Sequence, residues 1–182
     1  MKIYKNFNIG KKFKNSAIAI GNFDGFHLGH QKVIDQGKKI AKKNNLKFGL
    51  LVFQPLPVMF FNKKLKNYRI DLLNQKILSS KKYGLDFLII KKFDKKFSNI
   101  SSENFIKKII FKKLKTKLIF ISKNFRFGKN RIGNVRLLKK REVLFKYKTK
   151  TIVPFNKKNL IISSSLIRNK IKNGKIEYAN TL

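Results

Sequence analysis

Short apolar runs recur along the chain, and each stops at a glycine, a proline or a polar residue. Runs of this length with many β-branched and aromatic residues favour buried strands. One further strand is expected within residues 143–155, interrupted or ended near Pro154. The strands predicted before it cover residues 16–20, 48–53, 87–90 and 118–121.

Helical spacing of apolar residues follows these strands. Leu28, Val33, Ile34, Ile40 and Ala41 fall on one broad helical face after the first strand. Strands that alternate with helices predict an α/β fold in which helices cover both faces of a parallel sheet. In such sheets ligands bind beyond the carboxyl ends of the strands, where the strand order reverses. Further helices are predicted from Asp71 to Tyr83 with a stop at Gly84, from Ser101 to about Leu114, and from Ser163 through Ile171 with a break at Gly174.

Length and composition exclude several classes of protein. The 182 residues suffice for one domain with a core, and 42% of them are hydrophobic. No apolar run is long enough to cross a bilayer, and the N-terminus lacks the pattern of a secretory signal. The absence of cysteine excludes disulfides and thiolate metal sites, and two histidines with eight acidic residues supply few zinc ligands. We therefore expect a cytoplasmic, single-domain protein with no membrane partner.

The formal net charge of +37 raises the alternative of nucleic-acid binding. Only six of the 45 basic residues are arginines, however, and the lysines are spread over the whole chain. Base readout and bidentate phosphate contacts favour arginine, because its planar fork fits two oxygens at once. We therefore expect a solvated basic surface that attracts anionic substrates, and no dedicated nucleic-acid site.

The first motif that indicates chemistry is GNFDGFHLGH at residues 21–30, directly after the first predicted strand. Glycines let the backbone approach a ligand closely, and the start of the following helix attracts a phosphate. His27 and His30 are three positions apart, so they point the same way from the first helical turn. Two imidazoles there can stabilise the charge that an α-phosphate gains in a transition state. A tight turn with packed histidines is the alternative.

The second motif is NFRFGKNRIG at residues 124–133, after the fourth predicted strand. Its asparagine, aromatic rings, glycines and cations suit a pocket that binds a ring. A basic loop with two buried phenylalanines would explain the same residues equally well.

The third motif is ISSSLIR at residues 162–168, at the start of the last predicted helix. Serines at a helix start bind phosphate or cap the helix, and Arg168 is close enough in sequence to contact the same anion. An ordinary N-cap beside a surface arginine remains the alternative. Together the three motifs favour a phosphate-handling site.

In order and spacing these motifs resemble the adenylyltransferase (FAD synthetase) half of bacterial bifunctional riboflavin kinase/FMN adenylyltransferases. The resemblance covers residues 1–182 as one FMN adenylyltransferase domain and implies a Rossmann-like nucleotidyltransferase fold. It implies an enzyme that uses ATP, FMN and Mg²⁺ to make FAD and pyrophosphate. The riboflavin kinase barrel that usually follows has no counterpart here, so we expect FMN to come from a separate kinase, or the chain to be part of a longer protein.

The resemblance also implies roles for individual residues. His27, His30 and Arg168 would contact the ATP phosphates as catalytic residues. Mg²⁺ would be held mainly by those phosphates, with Asn124 as the one candidate protein ligand. The implied ATP- and phosphate-binding residues are Gly21, Asn22, Phe23, Asp24, Gly29, Ser164 and Ser165, and the loop near the phosphates and flavin contributes Asn124, Phe125, Phe127, Gly128 and Arg131.

Five positions depart from the usual family pattern. Gln54 and Leu56 replace a carboxylate and an imidazole, whereas Ser122 and Asn134 replace a glycine and an aspartate, and Ser165 replaces a threonine. These changes agree either with tuned affinity or with a decaying enzyme. Two other functions therefore stay open: a nucleotidyltransferase with another phosphorylated acceptor, and a degenerate basic remnant that binds nucleic acid.

Overall fold

The computed structural model describes residues 1–153, 155–157 and 160–182. A sheet of six parallel strands forms its centre, which confirms the predicted α/β class. The six strands are β1 (Lys2–Tyr4), β2 (Ala17–Ile20), β3 (Phe48–Gln54), β4 (Phe87–Lys92), β5 (Leu118–Ser122) and β6 (Lys148–Ile152). They lie in the order β1-β4-β3-β2-β5-β6.

Five of the six strands lie where the sequence predicted them. The edge strand β1 was not predicted, because its three residues are largely exposed and have no apolar run. Within the predicted segment 143–155 only β6 is a strand, and its expected end at Pro154 lies outside the described residues. The first part of that segment is helical instead, and the helix ends where Lys146 adopts φ 52°.

Helices connect the strands. In the described residues they are α1 (Leu28–Lys43), α2 (Pro57–Phe61), α3 (Leu73–Lys82), α4 (Lys95–Ser98), α5 (Ser102–Asn104), α6 (Val135–Lys140), α7 (Glu142–Phe145), α8 (Ser164–Lys172) and α9 (Ile176–Asn180). After α5 the chain continues as a π-helix over Phe105–Lys113, so the helix predicted for residues 101–114 exists but has two parts. Ser101 caps its start, accepting a hydrogen bond from the Asn104 amide at 3.2 Å.

The helices cover both faces of the sheet, as predicted. Alternate residues of β2 point to opposite faces, so Ile18 and Ala19 belong to different apolar clusters. One cluster contains residues of the π-helix and α6, and the other contains residues of α1 and α3. A third, smaller cluster joins α8 and α9 through Ile167 and Ala179. The helices packed on both faces hold the sheet in place, and with it the loops that follow the carboxyl ends of the strands.

Candidate functional site

The loops after β2 and β5 begin at the same edge of the sheet. β2 and β5 are neighbouring parallel strands, so their carboxyl ends point the same way. The chain places β3 and β4 on one side of β2, and β5 and β6 on the other. The strand order therefore reverses between β2 and β5, which is the expected ligand position in such a sheet. Residues 21–30 and 124–133 follow these two strands, as the sequence predicted.

The loop after β2 has an unusual backbone. Phe23, Gly25 and Phe26 have φ angles of 44°, 95° and 40°, in the left-handed region. Phenylalanine adopts this conformation only when its surroundings hold it there. Lys76 of α3 supplies part of that support, because its Nζ donates to the carbonyls of Asn22 at 2.7 Å and Phe23 at 2.6 Å. The loop is therefore held from the neighbouring helix.

Asp24 is the centre of the loop, and only 1% of its surface is exposed. Its carboxylate accepts hydrogen bonds from the Ile70 amide at 3.2 Å and the Asp71 amide at 3.3 Å. Arg168 donates from Nη2 to the same carboxylate at 2.5 Å. The backbone carbonyl of Asp24 accepts from Ser164 Oγ at 2.8 Å. A buried carboxylate needs such partners, and these connect the loop to α8.

The contacts of Asp24 with Ser164 and Arg168 thus place the third motif, residues 162–168, against the first, residues 21–30. Arg168 also donates from Nε to the Tyr68 carbonyl at 2.8 Å, and its guanidinium lies 3.9 Å from the centre of the Tyr68 ring. Ser163 caps α8, accepting from the Leu166 amide at 3.3 Å, whereas Ser165 is exposed. The capping alternative therefore holds for Ser163, and phosphate binding by Ser164, Ser165 and Arg168 stays a prediction.

His27 and His30 form a stacked pair, with ring centroids 3.7 Å apart and an interplanar angle of 25°. Burial lowers the pKa of His27 to about 4, although Asp24 acts in the opposite direction. Burial also lowers the pKa of His30, and the charges of His27, Lys76 and Arg168 lower it further. Within the described residues Nδ1 of each ring is buried and has no hydrogen-bond partner. Near neutral pH the pair is therefore uncharged and has unused hydrogen-bonding capacity.

The start of α1 is closely packed around Gly29. A Cβ at this position would lie 2.9 Å from the Ile162 carbonyl oxygen and 3.0 Å from the His27 ring, so glycine is required. The Leu28 amide donates to a backbone oxygen of Leu182 at 2.7 Å. Phosphate binding at this helix start stays a prediction, with the two imidazoles as candidate donors beside it.

The loop after β5 forms part of a cavity of about 590 Å³. At Gly128 the loop turns with φ 75°, and a Cβ would lie 2.6 Å from the Ser102 amide nitrogen. Asn124 is exposed and is not among the residues that line the cavity. The aromatic residues that line it are Phe53, Phe61, Phe93, Phe97, Phe105, Phe125 and Phe127, and the cationic residues are Arg126, Lys129 and Arg131.

Comparison with known proteins decides the family. The model of the FAD synthetase family matches residues 9–166 of the chain. The chain belongs to the FAD synthetase family. It is 41% identical over 184 residues to the bifunctional riboflavin kinase/FMN adenylyltransferase of Buchnera aphidicola subsp. Schizaphis graminum, covering 100% of this chain and 59% of that protein. The proteins of the same name from Escherichia coli K12 and Bacillus subtilis 168 are 28% and 32% identical, over 91% and 92% of this chain and 53% and 52% of theirs.

The chain therefore spans between half and three-fifths of the length of these relatives. Two solved structures show the same fold. A structure titled macrolide-efflux protein, from Streptococcus pneumoniae, has a TM-score of 0.82 and 24% identity over 99% of this chain and 58% of that one. Pantoate-beta-alanine ligase from Francisella tularensis has a TM-score of 0.58 and 16% identity over 95% of this chain and 78% of its own.

Two of the positions that depart from the expected motifs, Asn134 and Leu56, have ordinary structural roles. Asn134 caps α6, because its side chain accepts a hydrogen bond from the Leu137 amide at 2.9 Å. Leu56 is almost fully buried, so a core side chain stands where the resemblance led us to expect an imidazole. Gln54 and Ser122 are the last residues of β3 and β5.

Several residues that shape this FAD synthetase site were missed by sequence reasoning. Tyr68, Asp71 and Lys76 all contact the first motif or its partner arginine. For Lys76 a signal existed, because it shares a helical face with Leu73, Ile77 and Ser80, where a lysine is unusual.

The described residues show neither a cluster of metal ligands nor a membrane-spanning helix. No group of three or more histidines, cysteines or acidic residues there is arranged to hold a metal ion. None of the helices described has both the length and the apolar character needed to cross a membrane.

Proposed function

We propose that this domain transfers AMP from ATP to FMN, giving FAD and pyrophosphate. The observation that carries the proposal is the position of two different loops at the carboxyl ends of β2 and β5. The first leads into the stacked pair His27 and His30 at the start of α1, and the second lines an aromatic cavity. A phosphate-handling group and a ring-binding cavity at neighbouring strand ends suit a reaction that joins a nucleotide to a flavin phosphate.

The histidine pair suits the ATP phosphates. Because the pKa of His27 is lowered to about 4 and that of His30 is also lowered, both rings are neutral near physiological pH. A neutral imidazole donates one N–H without the cost of burying a charge. Such donors are most effective at the oxygens of the α-phosphate, where charge develops during the transfer. We assign this role to the neutral rings of His27 and His30, with Arg168 as the cation near the phosphates.

The cavity suits the flavin. Its volume of about 590 Å³ falls within the range of small-molecule sites. Flat aromatic walls stack against a planar ring system, and Phe125 and Phe127 belong to such a wall. Arg131, which also lines the cavity, can pair with the negative phosphate of FMN. We therefore propose that the isoalloxazine ring of FMN binds here.

The reaction needs no protein nucleophile. A phosphate oxygen of FMN attacks the α-phosphorus of ATP, and a new P–O bond forms. The bond from the α-phosphorus to the oxygen that bridges to the β-phosphate breaks, and pyrophosphate leaves with that electron pair. The attacking phosphate is already ionised near neutral pH, so no general base is required. Positioning and charge stabilisation then supply the catalysis.

We propose that Mg²⁺ enters with the nucleotide. The side chain of Asp24 is occupied by Arg168 and two amides, so it is not a free metal ligand. An ion bound mainly by phosphates and water needs few protein ligands. The exposed amide of Asn124 remains the candidate contact from the chain, and Mg²⁺ would supply charge neutralisation of the phosphates.

The acceptor must be made by another active site. FMN arises by phosphorylation of riboflavin, and the relatives named above are bifunctional enzymes that include a riboflavin kinase. We propose that residues 1–182 form the adenylyltransferase domain alone and depend on a riboflavin kinase for FMN. Since ATP and FMN are cytoplasmic metabolites, we expect the reaction to take place in the cytoplasm.

The test is to incubate the chain with ATP, Mg²⁺ and FMN and to follow FAD by chromatography. The parent should form FAD, and His30→Ala should lose most of this activity. Gln36→Ala, an exposed change on the same helix, is the matched control and should retain it. With riboflavin in place of FMN, no flavin nucleotide should form.

Other outcomes would point elsewhere. If the folded protein bound ATP without forming FAD, a panel of phosphorylated acceptors with labelled ATP would identify a different acceptor. If it bound no ATP but bound RNA or DNA in a salt-sensitive way, regardless of His27 and His30, the domain would be a degenerate basic remnant.

A further inference from the structure

A buried lysine contacts the loop that leads into the histidine pair. Lys76 of α3 is only 3% exposed, although lysine is almost never fully buried without partners. Its ammonium group donates to the carbonyl oxygens of Asn22 and Phe23, 54 and 53 positions earlier in the chain. Nothing in the proposed chemistry uses this side chain directly.

The geometry explains why a cation is placed there. Phe23 has φ 44°, and the carbonyls of Asn22 and Phe23 both lie within 2.7 Å of the lysine nitrogen. Buried carbonyls need donors, and one ammonium group can serve both of them. Ser80 Oγ donates to the Lys76 carbonyl at 2.7 Å, which adds a local contact inside α3. The lysine thus joins a regular helix to an irregular loop.

Charged groups from several elements surround the lysine. Burial lowers the pKa of Lys76, and Asp24 and Asp71 raise it. Arg69 and Arg168 lower that pKa further. Burial lowers the pKa of His30, and the charges of His27, Lys76 and Arg168 lower it further.

We propose that Lys76 is a positioning residue, which fixes the Asn22–Phe23 turn and places a positive charge beside the stacked histidines. The consequence is that His30 stays neutral and aligned for phosphate binding. The kinetic part of this inference rests on the proposed function. The structural part does not, and it can be tested without catalysis.

Histidine titration by NMR gives that independent measurement. The chain has only two histidines, so every imidazole signal reports on this site. Lys76→Gln keeps a hydrogen-bond donor but removes the charge, and Lys76→Met removes both. In both variants the His30 titration should move to higher pH. Lys82→Gln makes the same charge change at an exposed position of α3 and should leave the titration unchanged.

Kinetics separates the two roles of the lysine. If the hydrogen bonds position the loop, kcat for FAD formation should fall at least about tenfold in Lys76→Met and less in Lys76→Gln. The KM for FMN should stay unchanged in both variants, because the aromatic cavity does not include this lysine. Unaltered histidine titration together with parent-like kcat in Lys76→Met would overturn the proposal. Altered titration without any FAD formation, even by the parent, would reject the proposed function and leave the positioning role supported.

A measurement on the parent protein covers the case in which a variant does not fold. Reductive methylation under native conditions, read by mass spectrometry, compares the reactivity of lysines. Lys76 should react far more slowly than Lys82 of the same helix, and the difference should vanish on unfolding. Equal native reactivity of the two lysines would show that the buried contact does not exist in solution.

Discussion

Arg168 of α8 and Asp24 of the loop after β2 form an ion pair of 2.5 Å, although 144 positions separate them in the sequence. Asp24 is 1% exposed at its side chain and Arg168 is 20% exposed, so the pair is largely shielded from water. The contact brings the third sequence motif onto the first. It makes the C-terminal helix part of the site rather than a separate element.

This ion pair should be important for stability. Arg168→Met would leave the buried Asp24 carboxylate without its cation, and we expect the free energy of unfolding to fall by roughly 3–5 kcal/mol. Lys148→Met removes the cation of an ion pair whose lysine side chain is 70% exposed, and the loss should be far smaller. Urea unfolding of both variants measures the difference. Equal losses of unfolding free energy in the two variants would show that the Asp24–Arg168 pair stabilises the fold no more than the exposed pair does.

The histidine pair should make stability depend on pH. The pKa of His27 is about 4 in the folded chain and near 6.5 when unfolded, so the unfolded state binds protons first as the pH falls. The contribution of the neutral histidines to the free energy of unfolding should therefore be fully present above pH 6.5. It should be lost progressively as the pH falls towards about 4. His27 alone accounts for up to about 3 kcal/mol over this range, and His30 acts in the same direction.

Other groups titrate in the lower part of the range, so a matched comparison is needed. Burial raises the pKa of the Asp71 carboxyl, which gives a pH dependence of opposite sign. The difference between the parent and His27→Gln, measured by urea unfolding at each pH, isolates the histidine contribution. If the two proteins lost stability in parallel between pH 6.5 and 5, the lowered pKa of His27 would be refuted.

The sequence predicted those parts of the fold that depend on local pattern. The buried strands β2 to β5 are continuous apolar runs, and the motif after β2 is contiguous, so both are visible without a structure. The edge strand β1 was missed, because pairing at a sheet edge leaves no continuous apolar run in the sequence. The helical residues 142–145 were assigned wrongly to a strand, because the left-handed turn at Lys146 leaves no apolar pattern either.

The site residues that were missed depend on contacts between distant segments. The hydrogen bond between Arg168 and Tyr68 joins residues 100 positions apart, and the one between Lys76 and Asn22 joins residues 54 positions apart. No periodicity links such pairs, and only the packing of α3 and α8 against the loop brings them together. The π-helix Phe105–Lys113 was likewise not foreseen, because its apolar residues Ile106 and Ile110 also fit an ordinary α-helix.

Substitution of two glycines of α1 by alanine should affect different properties of the protein, ATP binding at Gly29 and stability at Gly37. Gly29→Ala places a Cβ against the Ile162 carbonyl and the His27 ring, so it should displace the ring and weaken ATP binding. Gly37→Ala places a Cβ against the Phe48 ring, in the core and not among the motif residues. It should lower stability by about 1–3 kcal/mol while folded protein keeps its ATP affinity. Calorimetric titration with ATP, beside urea unfolding, compares the two, and weakened ATP binding by both variants would contradict this separation.

The aromatic cavity should control affinity for FMN alone. Phe125→Ala removes one of two stacked rings that line the cavity, so the KM for FMN should rise roughly tenfold while the KM for ATP is unchanged. Phe111→Ala is the matched control, because Phe111 is 39% exposed, pairs with Phe145 and does not line the cavity. Quenching of flavin fluorescence on binding measures the affinity directly. If both variants bound FMN as the parent does while FAD formation persisted, the flavin would have to bind outside this cavity.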